Sequence, residues 1–290
     1  MRILTPCQIS AILLLGFQLS CAAESFSPLT NGSTKDQHLV DETRQIHKHF
    51  LNRLNDQWSV EPEVLKQSCK YESDIATTPP KNKIVLTFDD GPEREQTEQI
   101  LATLKKYSIS ATFFMIGKKA QTYPDLVQKV QAAGHQVIAN HSWSHPNFHE
   151  IDVKTQQEEV KTSDILLASQ LQPKLFRYPY GNSSCETNEY LHQAGYRIVG
   201  WHIDSCDWAF DKTGSVDSKE ALTCGVLPQY VHDYVGHIIS AARARHGGII
   251  LMHEIHPRTV NLLDEVIKQL IAEGFTFGTI AEEDFEPSLR

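Results

Sequence analysis

From Lys83 onward the chain alternates short apolar runs with longer stretches of helical periodicity, and this alternation constrains its fold more than any other feature. The runs cover residues 84–88, 111–116, 136–139, 175–178, 197–203, 248–252 and 275–280. Each is too short for a helix, which marks it as a strand. Apolar positions three and four apart predict helices over 98–106, 124–133, 155–171 and 258–273. Gly134, Gly195 and Gly274 each follow a helical stretch, where a left-handed residue commonly ends a helix. Repeated strand–helix units imply a parallel sheet covered by helices. A closed barrel and an open doubly wound sheet both satisfy this pattern. In a barrel, the chemistry belongs at the C-terminal ends of the strands. Asp89, Asp90, His141, Arg177, Asp204 and His253 all lie at or just after the ends of these runs.

Two adjacent carboxylates, Asp89 and Asp90, repel each other at a strand end. Asp-Gly-Pro is good turn chemistry, but a turn needs only one acid. A metal lets both stay ionised, one as a ligand and one free as a base. His141 and His145 are four apart and can share one ion if the segment is turned. With 14 histidines in the chain, such a pair also arises by chance. Its position directly after the run 136–139 favours function. One Asp and two His leave coordination positions for water and substrate, the layout of a catalytic metal rather than a structural one.

Five ordered segments resemble the polysaccharide deacetylase family, that is, carbohydrate esterase family 4 with its chitooligosaccharide deacetylase homology domain. They are Thr87-Phe88-Asp89-Asp90-Gly91-Pro92, His141-Ser142-Trp143-Ser144-His145, Arg177-Tyr178-Pro179-Tyr180-Gly181, Asp204-Ser205-Cys206-Asp207-Trp208 and Leu251-Met252-His253. The resemblance runs from about residue 83 to 280. It implies hydrolysis of N-acetyl groups on a GlcNAc-containing polysaccharide, either peptidoglycan or a chitin-type polymer. O-acetyl ester hydrolysis and glycan binding without turnover are the competing readings.

The resemblance also implies roles. Asp89 is the expected general base, Arg177 its orienting partner, and Asp90, His141 and His145 the metal ligands. His253 is the expected general acid, held by Asp207. The backbone N–H of Tyr180 stabilises the oxyanion, while Trp201 and Leu251 line the acetyl pocket. Imidazole and carboxylate ligands fit Zn2+, with Co2+, Ni2+ or Mn2+ as substitutes. The fold expected is α/β, a distorted (β/α)7-type barrel with an N-terminal helical extension.

The remaining features concern export and partners. Residues 1–23 carry a basic start, an apolar centre and small residues before the cut, which reads as a signal peptide. The apolar stretch is far short of the roughly 20 residues of a spanning helix, so no stable membrane anchor is expected. A lipoprotein at Cys21 ranks second, and the expected location is secreted or periplasmic. Residues 24–80 read as a linker and helical extension, and 81–290 as the deacetylase domain. Of six cysteines, four follow the signal, and export favours disulfides. Cys206–Cys224 and Cys69–Cys185 are the preferred pairs. Asp and Glu outnumber Lys and Arg by 36 to 27, which argues against nucleic acid as a partner. The other histidines near the motifs, including His202 and His256, read as surface or supporting residues, and Trp208 as packing.

Overall fold

The computed structural model describes residues 77–134 and 136–290, and in it the apolar runs become eight parallel strands. In chain order these are β1 (Lys83–Gly91), β2 (Ala111–Met115), β3 (Val137–Asn140), β4 (Leu175–Phe176), β5 (Arg197–Ile198), β6 (Ile203–Asp204), β7 (Gly247–His253) and β8 (Thr276–Phe277). The helices are α1 (Gln96–Tyr107), α2 (Gly117–Thr122), α3 (Pro124–Ala132), α4 (Val153–Leu167), α5 (Cys185–Gln193), α6 (Asp207–Thr213), α7 (Ser218–Cys224), α8 (Tyr234–Arg245) and α9 (Pro257–Ala272). Gly134, Gly195 and Gly274 have φ of 63°, 81° and 83°, the left-handed geometry expected where the preceding helices stop.

The sheet order is β5-β4-β3-β2-β1-β7-β6, with β8 beside β1. The run 197–203, expected as one strand, divides into β5 and β6. Its backbone changes neighbours across Gly200: Val199 N donates to Phe176 O, whereas His202 N donates to Ile249 O. β5 and β6 are thus the two ends of the sheet, joined only by residues 199–202. Five Cα steps reach at most about 17 Å, so the edges must approach each other. The sheet therefore curls into a distorted (β/α)7-type barrel whose seam is bridged by chain rather than by a ladder.

Strand alternation sorts the side chains. Ile84, Leu86 and Phe88 pack outward with Phe113, Ile250 and Met252, in the core beneath the helices. Val85 faces inward with Phe114, Trp201, Ile249 and Leu251. The same period turns Thr87 and Asp89 inward, so a carboxylate ends the inner face of the central strand.

Between β6 and β7 the chain forms α6, α7 and α8, the last running from Tyr234 to Arg245. The expected Cys206–Cys224 disulfide is present and joins the start of α6 to the end of α7. Closing a loop of 18 residues' separation removes about 3 kcal/mol of unfolded-state entropy. Cys224→Ser is expected to lower unfolding stability by about that amount, read from urea denaturation under non-reducing conditions. An unchanged midpoint would assign the segment's stability to packing alone. Cys185 is disulfide-bonded, and Cys69 lies outside the described residues. So do the signal peptide and nearly all of the expected extension.

Candidate active site

Arg177 is fully buried on the loop after β4, and every nitrogen of its guanidinium donates. Nε and Nη2 bond Val199 O and Gly200 O, at 3.2 and 2.9 Å. Nη1 bonds Thr87 Oγ1 and Asp89 Oδ1, at 2.8 and 2.7 Å. The guanidinium also lies over the Phe114 ring, 4.1 Å from its centroid. Arg177 thereby ties β1 to the backbone that bridges the seam, and it supplies the counter-charge for Asp89. Burial lowers its pKa while Asp89 raises it, and a guanidinium stays protonated in either case.

Asp90 follows with φ 72°, which turns its carboxylate from the strand toward two imidazoles. Its Oδ1 lies 3.5 Å from His141 Nε2 and 3.2 Å from His145 Nε2. That oxygen is buried and makes no well-aligned hydrogen bond. His141 Nδ1 sits 2.7 Å from Arg177 O, so the N–H belongs there and the Nε2 lone pair faces Asp90. Burial opposes charge on Asp90, but His141, His253 and His145 hold its carboxyl below the usual range. Burial, then His141, pushes His145 down to about 4, leaving it a neutral ligand.

One unpartnered buried carboxylate oxygen and two imidazole nitrogens, mutually within 4.8 Å, fit a divalent cation. A tetrahedral ion with bonds of about 2.0–2.1 Å separates its ligands by about 3.3 Å, close to the spacings observed. The donor set is that of zinc and its neighbours and contains no thiolate.

Asp89 and His253 are direct partners in the β1–β7 register, so the two side chains stand side by side at the top of the barrel. Asp207, at the start of α6, is fully buried beneath His253. Its Oδ1 accepts from His253 Nδ1 (2.7 Å) and Trp208 N (2.8 Å), and its Oδ2 from His253 N and Thr259 Oγ1 (2.6 Å each). Burial alone would keep His253 neutral, but Asp207, helped by Asp90 and Asp89, pushes its pKa up to about 10. Behind them Glu254 is wholly buried, and burial pushes its carboxyl up to about 8. It accepts from Thr97 Oγ1 and packs against Gly91, where a Cβ would come within 1.3 Å of Glu254 Oε1. Glycine at the Asp-Gly-Pro turn is thus needed for space as well as for turning.

These groups open into a cleft of about 700 Å3 that also contains Tyr180, Trp201 and Leu251. Tyr180 has φ 58° and lays its ring edge-on to His145, 4.8 Å between centroids. All ten sequence-predicted site residues converge here or, as with Arg177 and Asp207, directly beneath. Two other positions differ from expectation. His256 lines the cleft, its ring 5.5 Å from that of His253, because the turn into α9 folds it back. Trp208 lines the cleft rather than only packing, and Asp204 joins it there. His202 is buried, accepting from Ile249 N at Nδ1. Asn182 and Thr223 complete the polar wall, and no motif flagged either.

Residues 76–199 match the family model described as polysaccharide deacetylase. A peptidoglycan-N-acetylglucosamine deacetylase of Bacillus cereus is 34% identical over 207 residues, which cover 69% of this chain and 67% of that one. The Bacillus subtilis peptidoglycan-N-acetylmuramic acid deacetylase PdaC is 34% identical over 209 residues, 71% of this chain but only 40% of its own length. The crystal structure of the Bc1960 peptidoglycan N-acetylglucosamine deacetylase covers 76% of this chain and 95% of its own, at TM-score 0.59 and 26% identity. Matched motifs, a shared curled sheet and this identity lead to one conclusion: the chain belongs to the polysaccharide deacetylase family, carbohydrate esterase family 4.

Proposed function

We propose that this protein hydrolyses the N-acetyl groups of N-acetylglucosamine residues in peptidoglycan. The observation that carries the reading is the registered pair Asp89 and His253 flanking the Asp90, His141 and His145 donor set, each member with its own charged partner. Relatives named as peptidoglycan deacetylases, matched over about 70% of this chain, support the polymer.

Amide hydrolysis needs an activated water, a polarised carbonyl and a proton for a poor leaving group. Zinc held by Asp90, His141 and His145 supplies Lewis acidity for the first two. Asp89, oriented by Arg177, takes the proton of the attacking water. The backbone N–H of Tyr180 faces the developing oxyanion. His253, kept cationic by Asp207, gives its Nε2 proton to the leaving amine nitrogen. Trp201 and Leu251 form the apolar wall that receives the acetyl methyl group.

Residues 81–290 would form the catalytic domain, with residues 24–80 as the linker and helical extension. Residues 1–23, as a signal peptide, would deliver the protein to the periplasm or exterior, where this polymer lies. Among the described residues, no helix is long and apolar enough to cross a membrane.

Acetate release from peptidoglycan, chitooligosaccharides and acetylated xylan tests the proposal. Peptidoglycan is expected to yield acetate, with loss of activity on chelation and recovery on adding zinc. Release from xylan alone would transfer the reading to ester hydrolysis. Release that survives exhaustive chelation would remove the metal from it.

A further inference from the structure

The loop that carries both imidazoles, residues 141–145, is neither helix nor strand, so its backbone groups need partners from elsewhere. Each of its five N–H groups has one. His141 N donates to Met115 O at 3.0 Å, and Ser142 N to Asn140 Oδ1 at 2.9 Å. Trp143 N and Ser144 N both donate to Glu159 Oε2, at 3.0 and 2.7 Å. Ser144 Oγ donates to Glu159 Oε1 at 2.7 Å, and His145 N to Ser142 Oγ at 3.0 Å.

The carbonyls are held from the opposite side. Gly117 N and Lys118 N, at the start of α2, donate to Ser142 O and Trp143 O at 2.9 Å each. The Trp143 ring seats on Gly117, where a Cβ would lie 2.6 Å from Trp143 Cε3. The loop is therefore clamped between α2 and α4. Within the clamp, Ser142 and His145 hold left-handed backbones, at φ 68° and 60°. Neither residue favours that conformation unaided.

We infer that Glu159, in the second turn of α4, is a positioning residue that sets the geometry of the metal ligands through this loop. The inference rests on the reading that Asp90, His141 and His145 hold a divalent metal. Two successive N–H groups converging on one anionic oxygen form a concave anion site. Charge-assisted bonds of this kind are roughly twice as strong as neutral ones. Glu159 supplies the only anionic acceptor among these loop contacts. Without it, Trp143 and Ser144 lose their acceptor midway between the two ligands. The loop then samples other conformers, and metal binding must pay to reorder it. A glutamine keeps one oxygen for the N–H pair but loses the charge, so Glu159→Gln should fall between wild type and Glu159→Ala.

The test is zinc affinity of the whole secreted chain, measured by competition with a chromophoric chelator. Glu159→Ala is expected to bind zinc about 10–100-fold more weakly, the usual cost of losing a partner that supports a ligand. Its acetate release should recover as zinc is raised in proportion, which a collapsed fold would not permit. Glu158→Gln, one position away on a residue paired with Lys161, is the control and should bind as wild type does. Affinity in Glu159→Ala within about twofold of wild type would overturn the inference and leave the metal reading intact. So would activity that stays low once zinc is saturating. A wild-type protein that binds no zinc would overturn both.

Discussion

Asp89→Asn is expected to lower kcat for acetate release by about 10²–10⁴-fold, the range for losing a positioned proton-transfer group. An amide at this position keeps an oxygen for Arg177 Nη1, so the side chain remains oriented, but it cannot accept a proton from water. Zinc affinity should stay near wild type, because the Asp90, His141 and His145 donor atoms are untouched. The same change carries a second cost. Arg177 is fully buried and Asp89 is its charged partner at 2.7 Å. Removing one member of a buried pair leaves an uncompensated charge, worth about 3–5 kcal/mol. The remaining hydrogen bonds and ring contacts of the guanidinium offset part of this, so a lowered unfolding midpoint with a folded protein is expected. Kinetics at a temperature well below that midpoint separates the two effects. Full activity in Asp89→Asn, with metal bound, would remove Asp89 as the base.

The path from sequence to site was open wherever strand periodicity and chemistry coincide. Alternation from Val85 through Thr87 turns Asp89 inward, and the ends of β1 and β7 bring it beside His253. Those positions follow from a period of two and a parallel sheet. The seam between β5 and β6 was closed to such reasoning, because residues 198–201 carry no polar side chain on either side of the change of hydrogen-bonding neighbour at Gly200. His256 was missed for a related reason. It lies three positions after His253, and only the turn into α9 decides that its ring returns to the cleft. His202 reads as a polar residue in a strand, yet its Nδ1 completes a backbone hydrogen bond of β7. Glu159 lies among charged residues of a helix, Glu158 and Lys161 included, where solvation is the ordinary expectation. Its two loop N–H partners are 15 and 16 residues earlier, beyond any local pattern.

Asp207→Asn is expected to move the basic limb of the pH profile of kcat/KM to lower pH. The general acid must be protonated in the free enzyme, so activity is lost as pH rises through the pKa of His253. Burial favours the neutral ring, and Asp207 is the main group that overcomes it, pushing the pKa up to about 10. With a neutral amide in place of the carboxylate, that support disappears and the pKa falls toward the ordinary imidazole value of 6.5. A bound divalent cation acts in the same direction in both proteins, so it displaces the two limbs together and preserves their order. The amide also cannot satisfy all four donors that now meet Asp207, since its Nδ2 replaces an oxygen that accepts from two of them. Ring orientation is therefore disturbed as well as charge. At neutral pH kcat should drop by about 10²-fold, at the lower end of the range for a proton-transfer group because the imidazole itself remains. Above the new pKa the deficit should deepen by about tenfold per pH unit until the wild-type limb is reached. KM should change little, because Asp207 is buried beneath the cleft and does not line it. A basic limb unmoved in Asp207→Asn would mean that the leaving nitrogen takes its proton from elsewhere, and His256, facing the same cleft 5.5 Å from His253, would then be the next residue to replace.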